Sequence, residues 1–162
     1  MASRRIMRYL NDDVLRKRSK AVEDFGDRTL MLLRDMVETM YAANGAGLAA
    51  VQIGILRRIA VIDDGTGLIK LINPLIVEAT GEQQELEGCL SIPGIYGIVK
   101  RPQSVVVHAQ NEHGSPMELE ATGFLSRALC HEIDHLDGVL FVSKVIPGSI
   151  INEKDLEAMG VD

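Results

Sequence analysis

The chain has 162 residues, the length of one domain, and 46% of them are hydrophobic against 25% charged, which excludes a disordered chain. Its net charge of −6, with no basic block, excludes a sequence-specific nucleic-acid binder held by phosphate contacts. No apolar run approaches the ~20 residues that a membrane helix needs.

In chain order, the N-terminus Met1-Ala2-Ser3-Arg4-Arg5-Ile6 is basic but leads into no apolar core. It is not read as a secretory signal, and the acidic Asp12 and Asp13 speak against a transit peptide. A cytoplasmic location follows as an expectation. Cys89 and Cys130 then read as reduced thiols, either ligands or small apolar groups, with a single disulfide as the alternative.

The spacing predicts a helix from Asp27 to Ala43 with an apolar stripe of Leu30, Leu33, Val37, Met40 and Tyr41, and Asn44-Gly45 as its stop. Gly45-Ala46-Gly47-Leu48-Ala49-Ala50-Val51-Gln52 reads as a small-residue loop. Such a loop serves either close backbone approach to a ligand or tight packing, and without a Gly-Lys-Ser/Thr ending it is not a phosphate loop.

Short strands follow at 58–63 and 68–77, the second bent or at an edge because Pro74 lacks a ladder donor. Residues 104–110 and 117–121, joined by Asn111-Glu112-His113-Gly114, read as a hairpin. A second helix is predicted from Gly123 to Asp137, with Phe124, Ala128, His131 and His135 on one face. A last strand at 139–146 and a short helix capped by Asn152 and running to Met159 complete the reading. Without βαβ alternation this is an α+β fold. Mixed and antiparallel strands are expected to pack around the helix that carries His131-Glu132-Ile133-Asp134-His135, in a single domain over 1–162.

That pentapeptide is the most informative segment. Residues four apart on a helix share a face with Cβ atoms about 5–6 Å apart, so two imidazoles meet one metal while Glu132 stands beside them. The alternative is two packed or exposed histidines without metal. A third ligand is needed for a catalytic site. Downstream of His135 there is no His or Cys, and the carboxylates of the last segment are Glu153, Asp155, Glu157 and Asp162. Upstream, Glu87-Gly88-Cys89-Leu90-Ser91 offers a cysteine, which reads by itself equally as a buried apolar group.

In this order and spacing, the segments 45–52, 87–91 and 131–135 resemble the Gly-x-Gly-Leu-Ala-Ala-x-Gln, Glu-Gly-Cys-Leu-Ser and His-Glu-x-Asp-His motifs of the peptide deformylase family. Residues 13–18 and 71–74 are similar too, and the resemblance runs from about 7 to 147. The chain departs from the family at Val51 and Asp13, where proline is usual, and at Cys130, where glutamine is usual. A short acidic C-terminal segment stands where some members carry a long basic helix, so the resemblance does not extend to ribosome docking through such a helix.

The resemblance implies a hydrolase that removes the formyl group from the N-terminal methionine of nascent chains and releases formate. It implies one divalent metal on Cys89, His131 and His135, iron(II) natively, with zinc, nickel or cobalt in preparations. Water activated at the metal attacks the formyl carbon, with Glu132 as general base and then acid. The Gln52 amide and the Leu90 N–H stabilise the oxyanion.

Gly45, Ala46, Gly47, Gly88, Phe124 and Ala128 are expected to bind substrate. The expected partners are N-formylmethionyl nascent peptides and the ribosome near its exit tunnel, with no membrane. Arg127 reads as a solvated or salt-bridged side chain, Cys130 as a core thiol, and His108 and His113 as surface groups. A zinc endopeptidase and an inactive formyl-peptide-binding module are the rival readings. The first lacks a third ligand after His135, and the second has no use for Glu132.

Overall fold

A computed structural model describes residues 3–154. Helix α1 spans Asp27–Ala42, and strands β1 (Gly47–Ala49), β2 (Ile59–Asp63) and β3 (Leu68–Thr80) follow. Then come β4 (Gln83–Cys89), β5 (Ile92–Arg101), β6 (Ser104–Gln110), β7 (Pro116–Thr122), α2 (Gly123–Leu136) and β8 (Ile151–Asn152). The strands form a five-stranded sheet in the order β1-β2-β3-β6-β7 and a three-stranded sheet in the order β4-β5-β8.

The fold is α+β, as expected. Every strand pair is antiparallel, and the parallel contact among the described residues is one isolated bridge, Lys20 to Arg57. The mixed sheet that the sequence led us to expect is therefore corrected. Even the non-sequential pairs, β3 with β6 and β5 with β8, run antiparallel, and no helix crosses between paired strands of the same direction.

The five-stranded sheet lies between the two helices. Ile59, Val61 and Ile72 pack with Leu33, Met36 and Met40 of α1, while Ile62, Leu71 and Val107 pack with Leu129 and Ile133 of α2. Burial on both faces explains why β2 reads as the unbroken apolar run Ile-Ala-Val-Ile. A third cluster, Leu15, Ile92, Val99, Leu140 and Phe141, underlies the smaller sheet.

Several predicted elements shift. In α1, Leu32, Leu33, Met36 and Met40 are buried together with Thr29, Asp35 and Thr39, whereas Tyr41 is exposed. The stripe turns because residues preceding the helix cover a second side of it. Arg4 there donates from Nε and Nη2 to Asp35 Oδ2 at 2.9 and 2.6 Å. The helix stops at the predicted Asn44-Gly45 pair, with Asn44 in the left-handed region at φ 57°.

The small-residue loop includes β1 and a 3-10 turn, Ala50–Ile53. In β3 the chain bends as predicted, with a register shift between Ile72 and Leu75 and Asn73 at φ 53°. Strand β3 continues to Thr80, and Cys89 ends a strand, β4, whose pairing with β5 the sequence pattern does not show. Polar residues on both faces of β4, and Pro93, Gly94 and Gly97 in β5, hide the alternation.

The strand expected over 139–146 is a 3-10 turn, Phe141–Ser143, with one isolated bridge from Val145 to Val99. Leu140 and Phe141 are both buried, and consecutive inward side chains do not fit a period of two. Residues 151–152 pair with β5, the chain turns helical at 153–154 directly after Asn152, as the predicted cap requires, and the rest of the predicted terminal helix lies outside the described residues.

Candidate active site

A cleft of about 620 Å³ runs between the two sheets, with Gly45, Ala46 and Gly47 on one wall and Leu86 to Leu90 on the other. Strands β1 and β4 are the terminal strands of their sheets, and both reach this cleft. Helix α2 forms the floor through Phe124, Arg127, Ala128, His131 and Glu132. Phe124 is 55% exposed and stands at the rim, whereas Ala128 is buried.

Cys89 ends β4, and His131 and His135 are one turn apart on α2. Their ligand atoms all lie within 4.8 Å of one another, and Cys89 Sγ is 3.3 Å from His135 Nε2. His135 is 1% exposed. Its Nδ1 has no hydrogen-bond partner among the described residues. The third donor to this cluster thus comes from β4, and no carboxylate downstream of His135 joins it among the described residues.

A thiol and two imidazoles fit a borderline-soft divalent metal. The protonation states agree with that fit. Burial pushes His135 well below its usual range, so it is a neutral imidazole with a free lone pair. Burial would lower His131 as well, but Cys89 and Glu87 outweigh it and hold the proton that a metal would displace.

Glu132 is 4% exposed, and its Oε1 has no partner among the described residues. Burial raises its carboxyl to about 7, the range in which a carboxyl both takes and returns a proton near neutrality. Its place depends on Gly47, since a methyl group there would overlap the Glu132 carboxylate. Gly88 has the same kind of role, because a Cβ would come within 2.6 Å of the Tyr96 ring.

Gln52, buried at the end of the small-residue segment, is pinned at both ends. Its Oε1 accepts from the Ala49 N–H at 2.9 Å. Its Nε2 donates to Ser91 Oγ at 3.1 Å and lies 3.5 Å from Cys89 Sγ. Leu90 follows Cys89 in the turn between β4 and β5 and lines the cleft.

Sequence reasoning assigned no role to Glu87, Arg101 or Asp134, and left Arg127 outside the site. Glu87 Oε1 lies 2.8 Å from His131 Nδ1, which leaves Nε2 of that ring free for a ligand. Arg101 grips Glu87 from Nε and Nη2 at 3.0 and 2.8 Å and reaches Asp134 from Nη1 at 2.6 Å. Arg127 donates to Glu87 Oε2 and to the Val99 carbonyl. Arg127 is therefore salt-bridged, as one reading had it, but buried rather than solvated. A carboxylate directly before a candidate ligand segment, with arginines one helix turn and one strand away, was the available signal for this network.

Burial by itself would raise the Glu87 carboxyl, but hydrogen bonds from His131 and Arg101 and the charges of both outweigh it and hold it at about 2. A depressed carboxyl adds stability above its unfolded range and loses it as pH falls through the folded value. The stability difference between wild type and Glu87→Gln is thus expected to shrink as pH drops from about 4.5 to about 2. Urea midpoints on chelator-treated protein would measure it, and a difference independent of pH would contradict it. Elsewhere, Cys130 is a buried free thiol raised to about 11 by burial, and His108 and His113 lie at the surface.

This is an α+β chain with a Cys-His-His cluster and a buried glutamate on the floor of an inter-sheet cleft, the make-up of a metal-dependent hydrolase. Residues 4–149 match the polypeptide deformylase family. A peptide deformylase of Caldicellulosiruptor bescii is 54% identical over 157 residues, covering 97% of this chain and 93% of its own. The crystal structure of the Thermotoga maritima peptide deformylase superposes with a TM-score of 0.87 at 40% identity, covering 90% of this chain and 99% of its own. That of the Legionella pneumophila enzyme gives 0.85 at 46%, covering 90% and 87%. The chain belongs to the peptide deformylase family and is a hydrolase acting on formylated nascent peptides.

Proposed function

We propose that this chain, as one catalytic domain, removes the N-formyl group from the terminal methionine of nascent polypeptides with Cys89, His131 and His135 as ligands of iron(II). Zinc, nickel or cobalt suit the same donors. The observation that carries the reading is the convergence of these three side chains beside a buried glutamate oxygen that lacks a partner among the described residues. When bound, a divalent ion lowers the pKa of water and polarises the formyl oxygen.

The chain's own residues do the rest. Glu132 takes the proton of the attacking water on Oε1 and hands it to the departing methionine amine. Oxygen charge that develops at the formyl group is met by the Gln52 side-chain amide and the Leu90 N–H. For this, Gln52 Nε2 turns from the Cys89 sulfur, a long contact at 3.5 Å, while its Oε1 stays anchored on Ala49.

The methionine side chain enters between Phe124 and Ala128, and the peptide backbone lies as a strand along Ala46, Gly47 and Gly88. Such main-chain pairing reads little beyond methionine, which suits an enzyme with many substrates. Its place of work is the cytoplasm, beside the ribosomal exit tunnel where these chains emerge.

The test is formate release from formyl-Met-Ala-Ser by anaerobically purified protein, with metal quantified on the same sample. Release with about one metal per chain supports the reading, and bound metal without release favours a binding module. A formyl carbon bears only hydrogen, and the segment 45–47 crowds the site. N-acetyl-Met peptides are accordingly expected to react at least ~100-fold more slowly than their formyl counterparts, and comparable rates would refute this steric account.

A further inference from the structure

Residues 4–9, ahead of the 3-10 turn Asp13–Arg16, do more than cover α1. The Met7 amide donates to the Gln52 carbonyl at 2.7 Å, and the Tyr9 amide donates to the Ser91 carbonyl at 3.1 Å. The same two residues are joined through their side chains, Gln52 Nε2 donating to Ser91 Oγ. One belongs to the 3-10 turn after β1, the other to the turn between β4 and β5. This segment therefore ties the two cleft walls together through their backbones. Ile6 and Arg8, between and beside these contacts, line the cleft itself.

The segment is in turn held at its start. The Arg4 amide donates to Thr39 Oγ1 at 2.9 Å, and its guanidinium grips Asp35, whose side chain is 7% exposed. Thr39 Oγ1 donates onward to the Asp35 carbonyl at 2.7 Å, which fixes the receiving group.

We infer that residues 4–9 are a clamp that fixes the backbones of Gln52 and Ser91 against each other, and with them the anchor from which the Gln52 amide is aimed, and that Arg4 is a positioning residue that latches the clamp to α1. Arg4 touches no reacting atom. It acts through Met7 and Tyr9 on the separation of the two walls, and so on where the Gln52 amide is aimed. The inference rests on the oxyanion role proposed for Gln52.

The test pairs amide hydrogen exchange with a double-mutant cycle on metal-loaded protein. In Arg4→Met the Met7 and Tyr9 amides are expected to exchange at least ~10-fold faster, while the α2 amides keep their protection. The kcat for formyl-Met-Ala-Ser should fall by roughly tenfold with KM little changed, a part of the ~10²–10³ that losing an oxyanion donor costs. In a Gln52→Ala background the same substitution should change kcat by less than about twofold, because the residue it acts through is gone. Arg4→Lys, which keeps the charge without the fork, should restore much of both readouts, and Thr39→Val, which removes the acceptor of the Arg4 amide, carries the same comparison if Arg4→Met does not fold.

Unchanged exchange at Met7 and Tyr9 overturns the latch. Faster exchange with the full kcat loss retained in Gln52→Ala shows that the segment acts elsewhere, and overturns the clamp. An unimpaired Gln52→Ala single variant overturns the oxyanion role instead, and with it the catalytic purpose of the clamp.

Discussion

Glu132→Ala is expected to lower formate release by ~10²–10⁴-fold, the usual contribution of a positioned acid–base group, while the protein keeps its metal. Glu132 lies one residue from His131 on α2, but it is not in the Cys89, His131 and His135 donor cluster. Its Oε1 lacks a partner among the described residues, so truncation breaks no hydrogen bond at that atom. Removing a buried carboxyl whose charged form is disfavoured by burial should leave stability nearly unchanged or slightly raised. Kinetics, metal content and thermal midpoint measured on one preparation separate these effects. Loss of metal together with activity would make Glu132 a ligand, and retention of activity would leave the chain without a base.

Arg101→Ala is expected to be the most damaging single change to stability. Arg101 is almost wholly buried and binds Glu87 through two nitrogens and Asp134 through a third. Its loss leaves Asp134 to Lys144 and Glu87 to Arg127 and His131, with the space of a guanidinium unfilled. Removing one partner of a buried ion pair costs about 3–5 kcal/mol. For a chain of this size that corresponds to a fall in Tm of roughly 6–20 °C.

Activity should fall beyond the folded fraction, because Glu87 orients His131 through Nδ1. Lys144→Ala, at the same Asp134 but nearly half exposed, should cost no more than about 1 kcal/mol. Calorimetry on the two variants checks the contrast, and equal costs would mean that burial does not govern this network.

Local signals were legible wherever one residue type or one spacing dominates. The His131-Glu132-x-x-His135 spacing placed two imidazoles on one helical face, because 3.6 residues per turn leaves no other arrangement. The hairpin from Ser104 to Thr122 followed from its alternation and its turn, and β2 from an apolar run bounded by turn residues. The bend in β3 followed from a proline that lacks a donor. The chain order of three short segments was sufficient to mark the family.

Tertiary structure decided what those signals leave open. Which side of α1 is buried depended on Arg4 reaching Asp35 across 31 positions, a contact that no local period encodes. The β4–β5 pair had no readable alternation, since its strands are polar and broken by glycine and proline, and pairing with each other and burial of Ile92 and Val99 defined them. Residue order alone carries the chemical inventory: a thiol, two imidazoles, a carboxylate and an amide, each on a local frame. Long-range packing brings Cys89 on β4 to two histidines more than 40 residues later, and places Glu87 between two arginines from other elements. The physical reason is that helix and strand periods follow from local sterics, whereas these contacts depend on long-range burial and on the pairing of charges removed from water.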